Sequence, residues 1–507
     1  MKIFDNVRES LLGDVIEKKE NTLLEKRYGS EPYYEPKKTE EARKRILESG
    51  MKNLESMRKT KNRPKAMAYF EKIALGQREP EIANSQKKKI GYFCSFIPEE
   101  FIYAAGAIPI RLCTGSVETM DIAEGILPRD VCPLVKSAFG FKILELSYMS
   151  LCDVVVVPAS CDAKKKMAYM LADYMPIWVL NLPNKKEGDK SKRLWEGEMR
   201  DLKDNIEELT GNKITRKNLA ESTKMLRKRT SIFRRLLELR KADPVPLSEK
   251  DFLLVIYASF VDDAKRWMEN VSLLCDELDQ IVKAGKGICV KGTPRLLLTG
   301  SPIIWPNYKI LDIVEKTGMT IAVDQTCAGT WHLYEPVEVE ENSMKGLLEA
   351  IAERYLLPSV CPCFTANDDR YDNLTDLIKT YDVDGVLYHV LRLCQLFDIE
   401  AETVKHMLEK ANIPMLKIVT DYSKEDVGQL GTRVEAFKEM ILIRGNKNIL
   451  GDVQNPFTKK VVQQENAQNQ PTEEAVLEQE AEQNQPTEKP VQQENAQNQP
   501  TEEATEK

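Results

Sequence analysis

Four consecutive valines, Val154 to Val157, stand between Asp153 and Pro158. A run so short and so β-branched fits a strand buried on both faces, as strands of parallel sheets are. Cys161 follows and opens a segment, DAKKKMAYML, with helical periodicity. The pattern repeats on either side. KKIGYFCSF (88–96), IPIRLC (108–113) and PIWVLNLP (176–183) read as strands. Helices fall at 98–106, with Pro98 at the start, and after Cys132, where Pro133 suits a first turn. Further on, RLLLTGSPI (295–303), MTIAVDQ (319–325), DGVLYHV (384–390) and IPMLKIV (413–419) alternate with helices at 309–317, 344–357, 401–412 and from Glu425 to about Arg444. Strands alternating with helices of about a dozen residues imply βαβ units and a parallel sheet.

Between the two sets lie long charged amphipathic segments, such as ITRKNLAESTKMLRKRTSIFRRLLELRK (214–241). The predicted fold class is therefore α/β, with two doubly wound, flavodoxin-like parallel-sheet domains at 88–190 and 291–450. A helical N-terminal cap at 1–87 and a helical connecting layer at 191–290 accompany them. From 451 to 507 the composition collapses to Gln, Asn, Glu, Pro and Thr, and VQQENAQNQPTEEA at 462–475 returns letter for letter at 491–504. Such a segment cannot bury enough apolar area to offset its ordering entropy, so a disordered tail is expected.

The formal charge of −7 is concentrated in that tail, where residues 463–507 hold 11 Glu against 2 Lys. The remainder is near neutral, with its lysines dispersed among acids, so no nucleic-acid partner is expected. The start, MKIFDNVRESLLGDVIEKKE, has no apolar core of a signal peptide, and no apolar run is long enough to span a membrane. A cytoplasmic location is expected. In a reducing compartment the 11 cysteines are not a disulfide framework.

Ligands of doubly wound sheets gather at the carboxyl ends of the strands. Cys161, Cys327 and Cys394 fall within a few residues of such ends, and Cys132, Cys361 and Cys363 lie in loops or helix starts on the same rim. Thiols at helix starts, near cationic side chains, are favoured as thiolates, the form that binds iron or zinc. Six cysteines from two units can thus meet in one cleft, although spacing alone leaves burial open as well. Lys164, Lys165 and Lys166 either hold charge at that site or form a solvated face. No Gly-rich phosphate motif is evident, so ATP is not expected to bind here.

The stretches GYFCSFIPEEFIYAAGAIPIRL, LPRDVCPLVKSAFG, DVVVVPASCDAKKKM, DGVLYHVLRLC and TDYSKEDVGQLGTRVEAFKEM together resemble the 2-hydroxyacyl-CoA dehydratase and benzoyl-CoA reductase superfamily, over roughly residues 88 to 443. The resemblance implies that Cys132, Cys161 and Cys394 are the ligands of a [4Fe–4S] cluster. TGSPIIWPNYKILDIVE, DQTCAGT and CPCFTANDDR resemble its double-cubane branch, which implies an [8Fe–9S] cluster with Cys327, Cys361 and Cys363 completing six ligands. Cys94 and Cys113, near strand ends, are alternatives to one of these three, or are simply buried. Glu100 and His389 are candidate catalytic residues. Glu100 lies with Glu99 in a first helical turn, where acids also favour the helix dipole; His389 is either a proton donor near the cluster or a satisfied core histidine.

The activity implied is that of an iron–sulfur catalytic component, an oxidoreductase or lyase. It would receive electrons from a separate ATP-dependent Fe–S activator and reduce a small molecule or an acyl-CoA, working as a homodimer. The alternatives are a 2-hydroxyacyl-CoA dehydratase subunit with one cluster, paired with a related subunit, and a non-catalytic electron carrier or cluster scaffold.

Overall fold

The computed structural model describes residues 36–449. The chain divides at Ile443 into two units, and the first holds every described strand. Its first sheet comprises β1 (Lys89–Tyr92), β2 (Ile108–Arg111), β3 (Val154–Pro158) and β4 (Ile177–Leu180), in the order β2-β1-β3-β4. The second comprises β5 (Arg295–Gly300), β6 (Thr320–Gln325), β7 (Gly385–Leu391) and β8 (Met415–Thr420), in the order β6-β5-β7-β8. Every pairing is parallel. The two sheets are wound alike, so each has a switch point between its first and third strands, where a crevice opens at the carboxyl edge. The fold is α/β, as expected.

One aspartate sets the register at the same place in each sheet. The Asp153 carboxylate accepts the Lys89 amide at 2.7 Å, and the Asp153 amide returns a bond of 2.9 Å to the Lys89 carbonyl. The Asp384 carboxylate likewise accepts the Arg295 amide at 2.7 Å, with a return bond of 2.8 Å. Each carboxylate therefore fixes the entry of the third strand against the first. The valines of β3 are fully buried, as are all residues of β7, consistent with central strands covered on both faces.

Helices Asp189–Thr210, Arg216–Arg240, Glu249–Ser259 and Ala264–Lys283 form the helical region between the sheets in sequence. Trp195 and Trp267 anchor it: each is buried and donates its indole N–H at 2.8 Å, to the carbonyls of Ala352 and Val255. N-terminal to β1 lie helices Pro36–Met57, Met67–Ala74 and Glu79–Ala83. No helix among the described residues is long and apolar enough to cross a membrane. The repeat tail and residues 1–35 of the N-terminal cap lie outside the described residues.

Two local expectations change. The first strand stops at Tyr92 rather than running to 96, because Cys94 adopts a left-handed φ of 63° that turns the chain out of the sheet. The loop after Cys363 passes into a helix, Asp368–Thr380, whose first turn carries Asp368 and Asp369.

Candidate metal centre

Three of the expected thiols cap helices. Cys132 precedes helix Pro133–Ile143, Cys161 precedes Asp162–Leu171 and Cys394 precedes Gln395–Lys410. Their sulfurs lie against backbone amides of the first turn: Leu134 and Val135 for Cys132, Lys164 for Cys161, Phe397 for Cys394. First-turn amides, at the positive end of the helix dipole, favour a negative sulfur. Cys132 and Cys394 come from different sheets, yet their thiols lie side by side within hydrogen-bonding reach, and the Cys132 thiol holds Cys394 down, to about 7. Burial pushes Cys161 up, to about 11.

The other thiols sit in irregular loops held by buried side chains. After β6, the Asp324 carboxylate accepts the amides of Thr326 and Thr330 at 2.9 and 3.1 Å and both hydroxyls at 2.8 and 2.9 Å, closing a turn around Cys327. Gly329 is forced here, since a Cβ would meet that carboxylate at 2.0 Å. The Cys327 carbonyl accepts from the Arg111 guanidinium at 2.7 Å and the Ser95 hydroxyl at 3.1 Å, which ties the second sheet's rim to the first. The Cys361–Cys363 loop is gripped from two sides. The buried Lys186 ammonium donates to the Ser359 carbonyl at 3.0 Å and pairs with Asp369; the Arg370 guanidinium donates to the Val360 carbonyl at 2.7 Å. Cys361 and Cys363 are near neighbours, and the second thiol pushes the first one up.

Two cations and one phenol connect these thiols. Lys164 is buried with its ammonium 4.3 Å from the centre of the Phe93 ring, and the sulfurs of Cys94, Cys113, Cys161 and Cys327 lie close enough to act on its charge. Arg111, at the end of β2, is buried beside Cys113 and Cys327. Burial opposes ionisation of Cys113, but Arg111 and Lys164 outweigh it and the thiol is held below its ordinary range. The Tyr422 hydroxyl is buried with no hydrogen-bond partner among the described residues and lies within the field of Cys132, Cys113 and Cys394. Both rims therefore face one region.

Among the described residues, no three His, Cys, Asp or Glu side chains are gathered as around a single metal ion. In a cubane cluster each thiolate serves a different iron, so its ligands stand farther apart than those of one ion. The donor set suits such a group: soft sulfurs, helix amides, two buried cations and an orphaned hydroxyl.

Glu100 is buried and its carboxyl accepts the Tyr355 hydroxyl at 2.8 Å, while burial holds it above the usual carboxylate range. Glu99 pairs with Arg229 at 2.6 Å and accepts the Tyr92 hydroxyl. His389, on β7, is buried, bonds the Ser301 carbonyl through Nδ1 at 2.7 Å and is pushed down to about 4, so it is neutral at pH 7. Of the three consecutive lysines, Lys164 is buried and Lys165 and Lys166 are exposed. Sequence reasoning gave Arg111 no role and left Cys94 either an alternative ligand near a strand end or a buried residue. The signal for Arg111 was its position, a charge closing the apolar strand IPIR at a carboxyl rim.

The family model described as 2-hydroxyglutaryl-CoA dehydratase, D-component, matches residues 94–441. YjiM of Escherichia coli (strain K12), provisionally named a dehydratase subunit, is 34% identical over 355 residues, covering 69% of this chain and 91% of that one. The beta subunit of (R)-2-hydroxyglutaryl-CoA dehydratase from Acidaminococcus fermentans is 24% identical over 369 residues, 70% of this chain and 93% of its own. A benzoyl-CoA reductase subunit from Thauera aromatica is 21% identical over 342 residues, 66% and 86% of the respective chains. The chain belongs to the 2-hydroxyglutaryl-CoA dehydratase D-component family.

Proposed function

We propose that this chain is the iron–sulfur catalytic component of a two-component, low-potential reductase. Cys132, Cys161, Cys394, Cys327, Cys361 and Cys363 are assigned as ligands of a double-cubane cluster. The observation that carries the reading is the surplus of thiols at the two rims, where Cys94 and Cys113 stand beside these six and all eight are free. One [4Fe–4S] cluster takes about four thiolates at most. When bound, such a cluster takes up and passes on single electrons at low potential.

The chain's own residues prepare the site. The amides behind Cys132, Cys161 and Cys394 favour thiolate, and Asp324 fixes the backbone around Cys327. Glu100 and His389 are assigned to proton handling. Burial favours the protonated form of the Glu100 carboxyl, and His389, with Nδ1 bonded to the Ser301 carbonyl, has Nε2 left for another partner. The partner is a separate ATP-dependent Fe–S activator, the substrate a small molecule or acyl-CoA, and the assembly a homodimer.

A second reading is favoured by the names of the relatives, a dehydratase beta subunit and a benzoyl-CoA reductase subunit. In it the chain is one subunit of a 2-hydroxyacyl-CoA dehydratase, holds a single [4Fe–4S] cluster through Cys132, Cys161 and Cys394, and works beside a related subunit. Iron and acid-labile sulfide in anaerobically purified protein separate the two. About eight irons per chain supports the first, about four supports the second, and none removes both. Turnover with activator, ATP and reductant tests the enzymatic role; persistent lack of substrate reduction favours a carrier or scaffold.

A further inference from the structure

Lys164 is unlike every other buried lysine of the described residues. Lys136, Lys142, Lys186 and Lys250 are also buried, and each pairs with a carboxylate, respectively Glu124, Glu145, Asp369 and Asp312. Lys164 has no carboxylate at ion-pair distance among the described residues. Its neighbour Lys165, one position along the same helix, is exposed and pairs with Asp162. What Lys164 has instead is the face of Phe93, 4.3 Å from the ring centre, and four sulfurs, those of Cys94, Cys113, Cys161 and Cys327. The sulfurs come from loops after β1, β2, β3 and β6, so both sheets converge on this ammonium. Arg111 repeats the pattern. It is buried over the Phe260 ring at 4.6 Å, its hydrogen bonds go to a hydroxyl and a carbonyl, and Cys113 and Cys327 are beside it.

A buried charge is tolerated only when it is compensated. Carboxylates compensate the other four lysines; here the available compensation is thiolate sulfur and whatever anionic group the thiolates carry. We infer that Lys164, backed by Arg111, is the fixed counter-charge of the thiolate centre and raises its reduction potential. The inference rests on the cluster reading above. An added electron makes the centre more negative, so an unscreened cation beside it favours the reduced form. Lys165, being in water, contributes little.

The test is a potentiometric titration of iron-loaded protein, read by electron paramagnetic resonance. One electron passes from titanium(III), which becomes titanium(IV), to the centre, with no bond made or broken. Lys164→Met should lower the reduced-to-oxidised ratio at least tenfold at a given potential, a midpoint at least about 59 mV more negative. Lys164→Arg should restore the wild-type value, and Lys165→Met should leave it unchanged. Iron-free Lys164→Met should melt no lower than iron-free wild type, because it removes a cation that has no carboxylate. An unchanged midpoint in Lys164→Met overturns the inference. So does a Lys164→Met chain that fails to fold or melts lower without iron, since that marks a packing role. Wild-type protein that binds no iron is a separate result, read before any variant, and removes the cluster reading together with this one.

Discussion

Cys132 and Cys161, at the rim of the first sheet, stand at the starts of regular helices, with their sulfurs against first-turn amides. At the rim of the second sheet only Cys394 does so. Cys327 and Cys361 stand in irregular loops whose shape is set by buried polar side chains: Asp324, three residues before Cys327, beneath one, and Lys186 and Arg370 around the other. The first rim is thus built on helix starts and much of the second on buried side-chain hydrogen bonds. A helix start survives many changes around it, whereas a loop held by a few buried hydrogen bonds loses its shape when one is removed. The second rim should therefore be the more fragile, and the second sheet is where the comparison can be broken.

The largest effect is expected from Gly300→Ala at the end of β5. Gly300 has φ of 101°, and a Cβ there would meet the His389 carbonyl oxygen at 2.1 Å. Its neighbour Ser301 receives the Leu391 amide at 3.0 Å and adjoins Cys394, so the distortion reaches the site. A loss of more than about 2 kcal/mol is expected, measured by denaturant unfolding. Lys186→Met should come next. It removes a buried ammonium that links residues 184–186 of the first half to the Cys361 loop, leaving the Ser359 carbonyl unpartnered while Asp369 remains half exposed. About 1–3 kcal/mol is expected, together with faster alkylation of Cys361 and Cys363 in iron-free protein, read by peptide mass spectrometry. If Lys186→Met alkylates no faster, the second rim is as self-supporting as the first.

These contacts mark the limit of what was legible in the sequence. The β-branched runs gave the strands and the α/β class, and Pro133 after Cys132 gave a helix start, because those signals are local. Cys161 and Cys394 followed from standing just beyond such strands. Nothing local says that Lys164 is buried while Lys165 is not, since the difference lies in which side of helix Asp162–Leu171 faces Phe93 and the sulfurs. The shared role of Asp153 and Asp384 was equally hidden, being a bond between the starts of two strands far apart in the chain. The helix Asp368–Thr380 was masked by the Pro- and Cys-containing stretch before it and by Asp368 and Asp369 at its own start.

The last effect is a dependence on pH. Burial raises Glu249 to about 8, beside Arg240 and Asp324, beneath the Cys327 loop. The folded state therefore holds a proton that the unfolded chain releases in the ordinary carboxylate range. Stability should fall as pH rises from there through about 8, by about 1.4 kcal/mol per pH unit at most. Glu249→Gln should flatten that slope, measured by urea unfolding between pH 5 and 8.5. An equal slope in the variant would exclude Glu249 as its source.

The central claim is that thiols of both rims serve one iron–sulfur centre. It is tested most directly by the iron content and visible absorbance of anaerobically purified Cys161→Ala. Cys161 lies near both Cys94 of the first rim and Cys361 of the second, within reach of Lys164. Loss of iron and of the visible absorbance, with the fold intact by circular dichroism, is the predicted result. Iron and absorbance equal to wild type would contradict it.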